Sequence, residues 1–576
     1  MRSWTGAGLT LALLAVSCAQ PAAAPAAQPS AAGGAPVSAA PTAPKRIAVA
    51  MLGELPAFWD DINPGGGTVP GIGQFKGLAS AGLAVLDDHQ VPQPQLAEQV
   101  PSTENGLWKV AADGTMEVTF HIREGATWHD GEPFTSADLL FTADVDRDPD
   151  IRVFTSQPYR LVDSVTAPDA RTVVVKWKQP YISADRMFGV GTGMFAPPLP
   201  KHILEPAFLA NKAAVTDSAY WTTEFVGNGP FRLHEHEWAP GSHVLLDAYD
   251  RYVLGRPKVD QILVKFIPDP SALLANVLAG EVDLTFSRSV STEQAVATRD
   301  RWPSGNFAPY ISGWTMMYPQ LRAPTPAVLA DPQFRRALIM GIDRQQLATT
   351  LTAGFAPLAD SIIAPDAPEY AAIQSSIVRY PYDPNRAIQT LEGMGLARAA
   401  DGTFRDAAGQ PLAVELRTTT NDANQKAILA VADAFRQIGI VGEPTVIPVQ
   451  QLQDAVYRTT YPGLELVNQP NNADGFEDLL VSTAAPLPER GYRAPNSNKN
   501  RGSYLNREYD ALMDRYRTTI PMTDRMQAMA QLIRMQTDQQ LVMGLFFSAD
   551  AIAMANRLQN VPAASTWNAN QWDVKG

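Results

Sequence analysis

The chain has 576 residues, 45% of them hydrophobic and 18% charged, and its 46 Lys plus Arg against 59 Asp plus Glu leave a net charge of −13. That much apolar material excludes a disordered chain, and the acidic balance excludes general binding to nucleic acid or anionic membranes, which needs excess cations. A single cysteine excludes an internal disulfide and any Cys-based zinc or iron–sulfur cluster.

Residues 1–17 carry one charge, Arg2, and then the apolar run Leu9-Thr-Leu-Ala-Leu-Leu-Ala-Val16. The run is too short to span a bilayer and fits the middle of a secretory signal peptide. It ends in Ala15-Val16-Ser17-Cys18, which resembles a bacterial lipobox, with Ala15 where the pattern usually has Leu. The resemblance implies lipidation at Cys18; the alternative is ordinary secretion with a free cysteine. Residues 19–44 hold twelve Ala, six Pro and no charge. Proline removes helical donors and small side chains bury little, so an unstructured tether is expected, with a root-mean-square span of about 28 Å. No later stretch is apolar for long enough to span a membrane.

From Lys45 onward strand-like and helix-like segments alternate. Arg46-Ile-Ala-Val-Ala-Met51 reads as a buried opening strand. Asp113-Gly114 and Asp401-Gly402 lie between β-prone segments and predict hairpin turns. Thr135-Ser-Ala-Asp138 predicts a capping box, and Asp331-Pro332 and Asp383-Pro384 each offer a carboxylate N-cap with proline in the first turn. Arg335 and Asp343 are expected on one helix, too far apart to meet. Leu412–Leu416 reads as a strand, Ile428, Val431, Phe435 and Ile438 recur at helical spacing up to Gly439, and Thr445–Val449 reads as the returning strand. This βαβ unit implies an α/β fold with parallel or mixed sheet covered by helices.

Signals of chemistry are sparse. There is no G-x-x-x-x-G-K-[ST], no H-E-x-x-H and no G-x-S-x-G. Asp144-Val-Asp-Arg-Asp148 mimics the start of a calcium loop but has Pro149 at the glycine position, and reads as an acidic helix end. His234-Glu-His236-Glu237 puts two imidazoles at alternate strand positions without an evident third ligand, and reads as a polar strand edge. Carboxylate pairs suited to hydrolysis are not singled out by any spacing. No metal, cofactor or catalytic residue is therefore assigned.

Four separated stretches together resemble the family 5 extracellular solute-binding proteins. They are Phe120-His-Ile-Arg-Glu-Gly-Ala-Thr-Trp-His-Asp-Gly-Glu-Pro-Phe-Thr-Ser-Ala-Asp138; Val226-Gly-Asn-Gly-Pro-Phe231 with Tyr249–Pro257 and Gly280-Glu-Val-Asp283; Phe334–Arg344; and Tyr380–Ala387 leading to Gly393-Met-Gly395. With Trp567 and Trp572 they cover essentially all of residues 45–576. The resemblance implies a two-lobed periplasmic-binding-protein-like α/β fold (type II, cluster C-like) with mixed sheets. Residues 45–85, 181–287 and 547–576 are expected in lobe 1, 86–180 in an inserted subdomain, and 288–546 in lobe 2. Most of the signature residues read as turn chemistry and fold contacts.

The same resemblance implies a binding role without covalent chemistry: a monomeric, lipid-anchored receptor that hands a small solute, foremost a peptide, to an ABC permease with separate ATPase subunits. The net charge leans toward amine-bearing ligands, while nickel chelates, oligosaccharides and opines stay open. A sensor or chaperone lipoprotein, or an extracytoplasmic hydrolase, are the alternatives. In peptide-binding members a second-lobe aspartate meets the peptide's amino terminus; Asp474 falls at that position, with Glu477 and Asp478 as close rivals. Phe58 and Trp59 follow the first strand, where the family lines its cleft, and Trp314 and Tyr318 lie near the start of the second lobe. Aromatic faces there suit apolar, sugar or cationic groups, with core packing as the competing role.

Overall fold

The computed structural model describes residues 44–59, 69–151, 157–191, 193–452, 454–471, 473–492 and 500–575, without the side chains of residues 157, 213, 473 and 474. The signal segment, Cys18 and the tether up to residue 43 lie outside the described residues. No described helix is long and apolar enough to cross a membrane.

Ten strands form one mixed sheet: β1 (Arg46–Met51), β2 (Phe231–Ala239), β3 (His243–Ala248), β4 (Gln261–Phe266), β5 (Leu284–Thr285), β6 (Gly305–Pro319), β7 (Ala413–Thr418), β8 (Val441–Val446), β9 (Leu464–Gln469) and β10 (Met543–Ala555). Their spatial order is β8-β7-β9-β6-β10-β5-β1-β4-β3-β2. β1 runs parallel to β4 and β5, and β7 runs parallel to β8 and β9. Between these two groups stand β6, of 15 residues, and β10, of 13, paired antiparallel.

β6 and β10 belong to both halves of the molecule. The first part of β6, Gly305–Ile311, pairs with Ala549–Ala555, beside β5 and β1; the second part, Gly313–Met317, pairs with Met543–Ser548, beside β9. The register shifts between Ile311 and Gly313 and again between Thr315 and Met316. Each half carries its own core on each face of its sheet. Ile47, Val49, Phe231 and Ile262 lie in one cluster and Ala50, Leu273, Val277 and Trp302 in another. In the second half Trp314, Tyr461 and Leu532 form one, and Met317, Leu416 and Phe435 the other. We call the halves lobe 1 and lobe 2. The segment after β5 adheres to lobe 1, because Val290, Ala295 and Trp302 pack with Ala50 and Leu273. A four-stranded sheet built from Trp108–Val110, Met116–His121, Val162–Asp169 and Thr172–Trp177 has a separate core around Phe120, Trp128 and Trp177.

Local chemistry explains these elements. Thr135 and Asp138 form the capping box of the helix Ser136–Arg147, and Asp331 and Asp383 cap helices that begin with Pro332 and Pro384. Gly114 and Gly402 take φ of 85° and 84° in their turns, which only glycine adopts without strain. The βαβ unit is present, but its return strand is Val441–Val446 and not Thr445–Val449. Pro444 sits inside it because β8 is the outermost strand and needs no donor on its free side. Arg335 and Asp343 fall on different helices: Pro332–Met340 stops at Gly341, and Asp343 caps Arg344–Thr352. Arg335, 2% exposed, instead donates to the backbone carbonyls of Leu329, Ala330, Gln539 and Gln540, tying its helix to the turn before β10.

Candidate functional site

Strand direction fixes where a ligand fits. The carboxyl ends of β1 and β5 in lobe 1 point toward the register break in β6 and β10, since Leu284 pairs with Met554 and Val290 bridges to Ala551. The carboxyl end of β9 points there from lobe 2, with Leu464 beside Pro319 and Gln469 beside Trp314. In open α/β sheets ligands bind in the crevice outside the carboxyl ends of the strands. Here those ends converge from two lobes on one level of the molecule, set by Ile311–Gly313 and Ser548–Asp550.

Polar side chains pin that level. Asn468 donates to the Ser548 hydroxyl and to Thr315 Oγ1 at 3.4 Å, and the Thr315 and Ser548 hydroxyls lie 3.2 Å apart. Ser312 Oγ donates to the Ser548 carbonyl at 3.5 Å. Gly313 is obligatory for the close approach of β9: a Cβ there would lie 2.5 Å from the Gln469 carbonyl oxygen. On the lobe 1 side, Asp550 stands opposite Tyr310 in the register. Asp550 Oδ2 is inaccessible to solvent and accepts no hydrogen bond, and the carboxylate forms no ion pair with any described residue. Burial pushes its pKa above the ordinary aspartate value, against the Ser312 hydroxyl and the Arg288 guanidinium, which pull it down. The Tyr310 hydroxyl is pushed up as well, first by burial and then by the charges of Asp550 and of Asp366, a residue of lobe 2.

The aromatic residues picked from sequence divide between the two lobes. Phe58 stacks on Phe225 at 4.0 Å between ring centroids and on Phe75 at 5.0 Å; Trp59 leans on Trp221 at 5.3 Å beneath Lys76. Trp314 and Tyr318 lie in the lobe 2 core, 2% and 0% exposed. The Trp314 indole N–H and the Tyr318 hydroxyl are buried without a hydrogen-bond partner. Asp474 is in the short helix Ala473–Asp478 directly after β9; its side chain lies outside the described residues. Its rivals are engaged, since Arg517 donates to Glu477 Oε2 at 3.3 Å and to Asp478 Oδ1 at 3.2 Å. Tyr310, Ser312, Asp366, Asn468, Ser548 and Asp550 were not singled out from sequence. One signal was there: Asp550 is the lone charge in the run Met543-Gly-Leu-Phe-Phe-Ser-Ala-Asp-Ala-Ile-Ala-Met-Ala555, whose only other polar side chain is Ser548.

No group of three or more His, Cys, Asp or Glu among the described residues could hold a metal ion. His234 and His236 do not share a face, because Glu235 and His236 take positive φ in a bulge of β2. His234 meets Asp247 at 2.5 Å, and His236 meets the Thr223 carbonyl at 2.5 Å.

Comparison with known proteins agrees with this architecture. A candidate ABC transporter peptide-binding protein of Brucella ovis is 27% identical over 408 residues, covering 69% of this chain and 70% of that protein. The crystal structure of NikZ from Campylobacter jejuni in complex with Ni(L-His) superposes with a TM-score of 0.66 at 19% identity, covering 92% of this chain and 99% of that one. The oligopeptide-binding protein AppA from Bacillus subtilis, in complex with a nonapeptide, superposes with a TM-score of 0.63 at 19% identity over 93% of this chain and 100% of that one. Residues 91–480 match the family described as bacterial extracellular solute-binding proteins, family 5 middle. With two separately cored lobes joined by two long shared strands, the chain belongs to the family 5 extracellular solute-binding proteins.

Proposed function

We propose that this protein is the receptor lipoprotein of an ABC importer, taking a peptide between its lobes and passing it unchanged to a permease served by separate ATPase subunits. The observation that carries this reading is the convergence of strand carboxyl ends from both lobes on the register break of β6 and β10. Lobes joined by two strands can rotate about such a break, and a ligand touching both lobes favours the closed form by the contacts it makes only there. Peptide cargo is supported by the relatives, one named as a candidate peptide-binding protein and another solved with a nonapeptide. Asp474, at the carboxyl end of β9, receives the peptide ammonium in this reading. Phe58 and Trp59 back the lobe 1 side and Trp314 the lobe 2 side from within their cores, while Tyr318, also buried, lies toward the other end of β9. Cys18 carries the lipid and residues 19–44 the reach from the membrane, and the protein works as a monomer without covalent chemistry.

Native mass spectrometry of the purified protein tests the cargo. Bound peptides that are released on denaturation with their masses unchanged are expected. A protein that arrives empty, and whose thermal stability no peptide pool raises, overturns the reading. Lipidation has its own readout: the mature protein is expected to begin at a Cys18 bearing the mass of an acylated glyceryl group, and an unmodified Cys18 in membrane extracts rejects it.

A further inference from the structure

A carboxylate oxygen buried without a hydrogen bond is costly, and natural folds rarely keep one without use. Asp550 Oδ2 is such a group. It lies on β10 two residues beyond Ser548, at the point where the two lobes meet. The surroundings engage that carboxylate through the Ser312 hydroxyl and leave its Oδ2 unsatisfied. Tyr310 faces it across the strand pair, Ser312 starts the register shift beside it, and the charge of Asp366 reaches the same Tyr310 hydroxyl from lobe 2. Arg288, in a positive-φ turn after β5 with φ 64°, is the described cation that acts on Asp550, and it forms no ion pair with it.

We infer that Asp550 is a ligand anchor: its carboxylate receives a cationic group of the bound solute, an ammonium or guanidinium, at the level where the lobes meet. The inference rests on the receptor reading and narrows it to amine-bearing cargo. It is separate from the position of Asp474, which follows β9 in lobe 2, whereas Asp550 sits on a strand shared by both lobes. The incoming cation supplies the partner that the fold withholds, and Tyr310 and Ser312 offer oxygens to the remaining donors of an ammonium.

The test uses the full mature chain and its Asp550→Asn variant, which keeps size and shape and removes the charge. Titration calorimetry with pentaalanine, which has only a main-chain ammonium, and with N-acetyl-pentalysine, which has only side-chain ammoniums, reads which amine is held. Wild type is expected to bind at least one of them, and D550N to bind that one about thirtyfold more weakly or worse. If wild type binds and D550N binds equally well, the anchor is overturned while the receptor reading stands. If wild type binds neither probe, the peptide reading falls, and the anchor is then decided by the ligand-free proteins alone. Removing the charge from a carboxylate whose Oδ2 is buried and unsatisfied is expected to raise the melting temperature of D550N on the order of 2 °C above wild type at pH 7. A D550N variant no more stable than wild type overturns it.

Discussion

Glu465, wholly buried on β9, is held by three guanidiniums: Arg458 at 2.7 Å, Arg501 at 2.9 Å and Arg417 at 3.4 Å. Arg417 is itself laid over Tyr461, 4.2 Å from its ring centroid. Burial alone would push the Glu465 carboxyl up, but Arg501, Arg417 and Arg458 together hold it below the usual carboxylate range. Glu465→Gln leaves three cations without their counter-charge inside lobe 2, and is expected to cost about 3–5 kcal/mol in chemical denaturation. A loss below 1 kcal/mol means the cluster is as dispensable as a surface ion pair. His129 makes a different kind of staple. Its Nδ1 accepts from the Gly227 N–H at 3.2 Å and its Nε2 donates to the Gly229 carbonyl at 3.0 Å, joining the inserted subdomain to lobe 1. Burial lowers its pKa to about 4 from 6.5. Between those values the unfolded chain takes a proton that the folded chain refuses. Stability is therefore complete above about pH 6.5 and falls as the pH drops toward 4, by roughly 3 kcal/mol at 1.36 kcal/mol per unit. His129→Gln keeps a donor and an acceptor without the titration, so its stability curve is expected to be flatter by that amount across the same window. Parallel curves for the two proteins would show that His129 does not set the slope.

Elements with local signals were legible from sequence, and their long-range pairings were not. The opening strand, the capping box at Thr135, the proline-led helices after Asp331 and Asp383, and both Asp-Gly turns depend on neighbours within a few residues, and each stands where its residues predict. The return strand of the βαβ unit was misplaced because Pro444 reads as a strand breaker until the strand is known to be an edge. The pairing of β6 with β10 joins segments far apart in the chain, and no local pattern announces it. Tyr310 and Ser312 are unremarkable on their own strand, and the lone charge of Asp550 on β10 gains meaning only from the strand opposite. The register break also makes a prediction. Gly313→Ala places a methyl against the Gln469 carbonyl, 2.5 Å away in the present geometry, so β9 must withdraw from β6. The expected cost is about 1–3 kcal/mol. Ligand affinity should fall too, because Asn468 moves off Ser548. Wild-type stability and affinity in the variant would show that β9 gives way freely.

At the scale of the molecule, the lobes meet at a second place besides the shared strands. Ile520, between the helices Arg507–Thr518 and Met522–Asp538 of lobe 2, is buried in the core of the inserted subdomain with Trp177 and Phe188. Ile182 reaches the other way and packs against the lobe 2 core as well as its own. Beside them Asp185 keeps one carboxylate oxygen buried without a hydrogen bond, its pKa raised by burial against the pull of Arg186 and of Arg525 from lobe 2. Lys426 of lobe 2 and Glu293 of lobe 1 form a looser contact at 4.0 Å, and both are exposed. Such an exposed pair contributes little, so the apolar contact at Ile520 is the stronger of the two ties. It acts as a clasp: two strands permit rotation, and Ile520 rewards the closed end of it. Ile520→Glu forces a charge into the subdomain core whenever the lobes approach, while leaving each lobe's own core intact. The variant is expected to keep its secondary structure and cooperative unfolding, to show a larger radius of gyration by X-ray scattering than wild type, and to bind ligand more weakly by about one to two orders of magnitude. The loss should lie in the dissociation rate, because a clasp missing from the closed state shortens its lifetime without touching the encounter. A variant with wild-type scattering and dissociation rate would mean that β6 and β10 alone set the closed state.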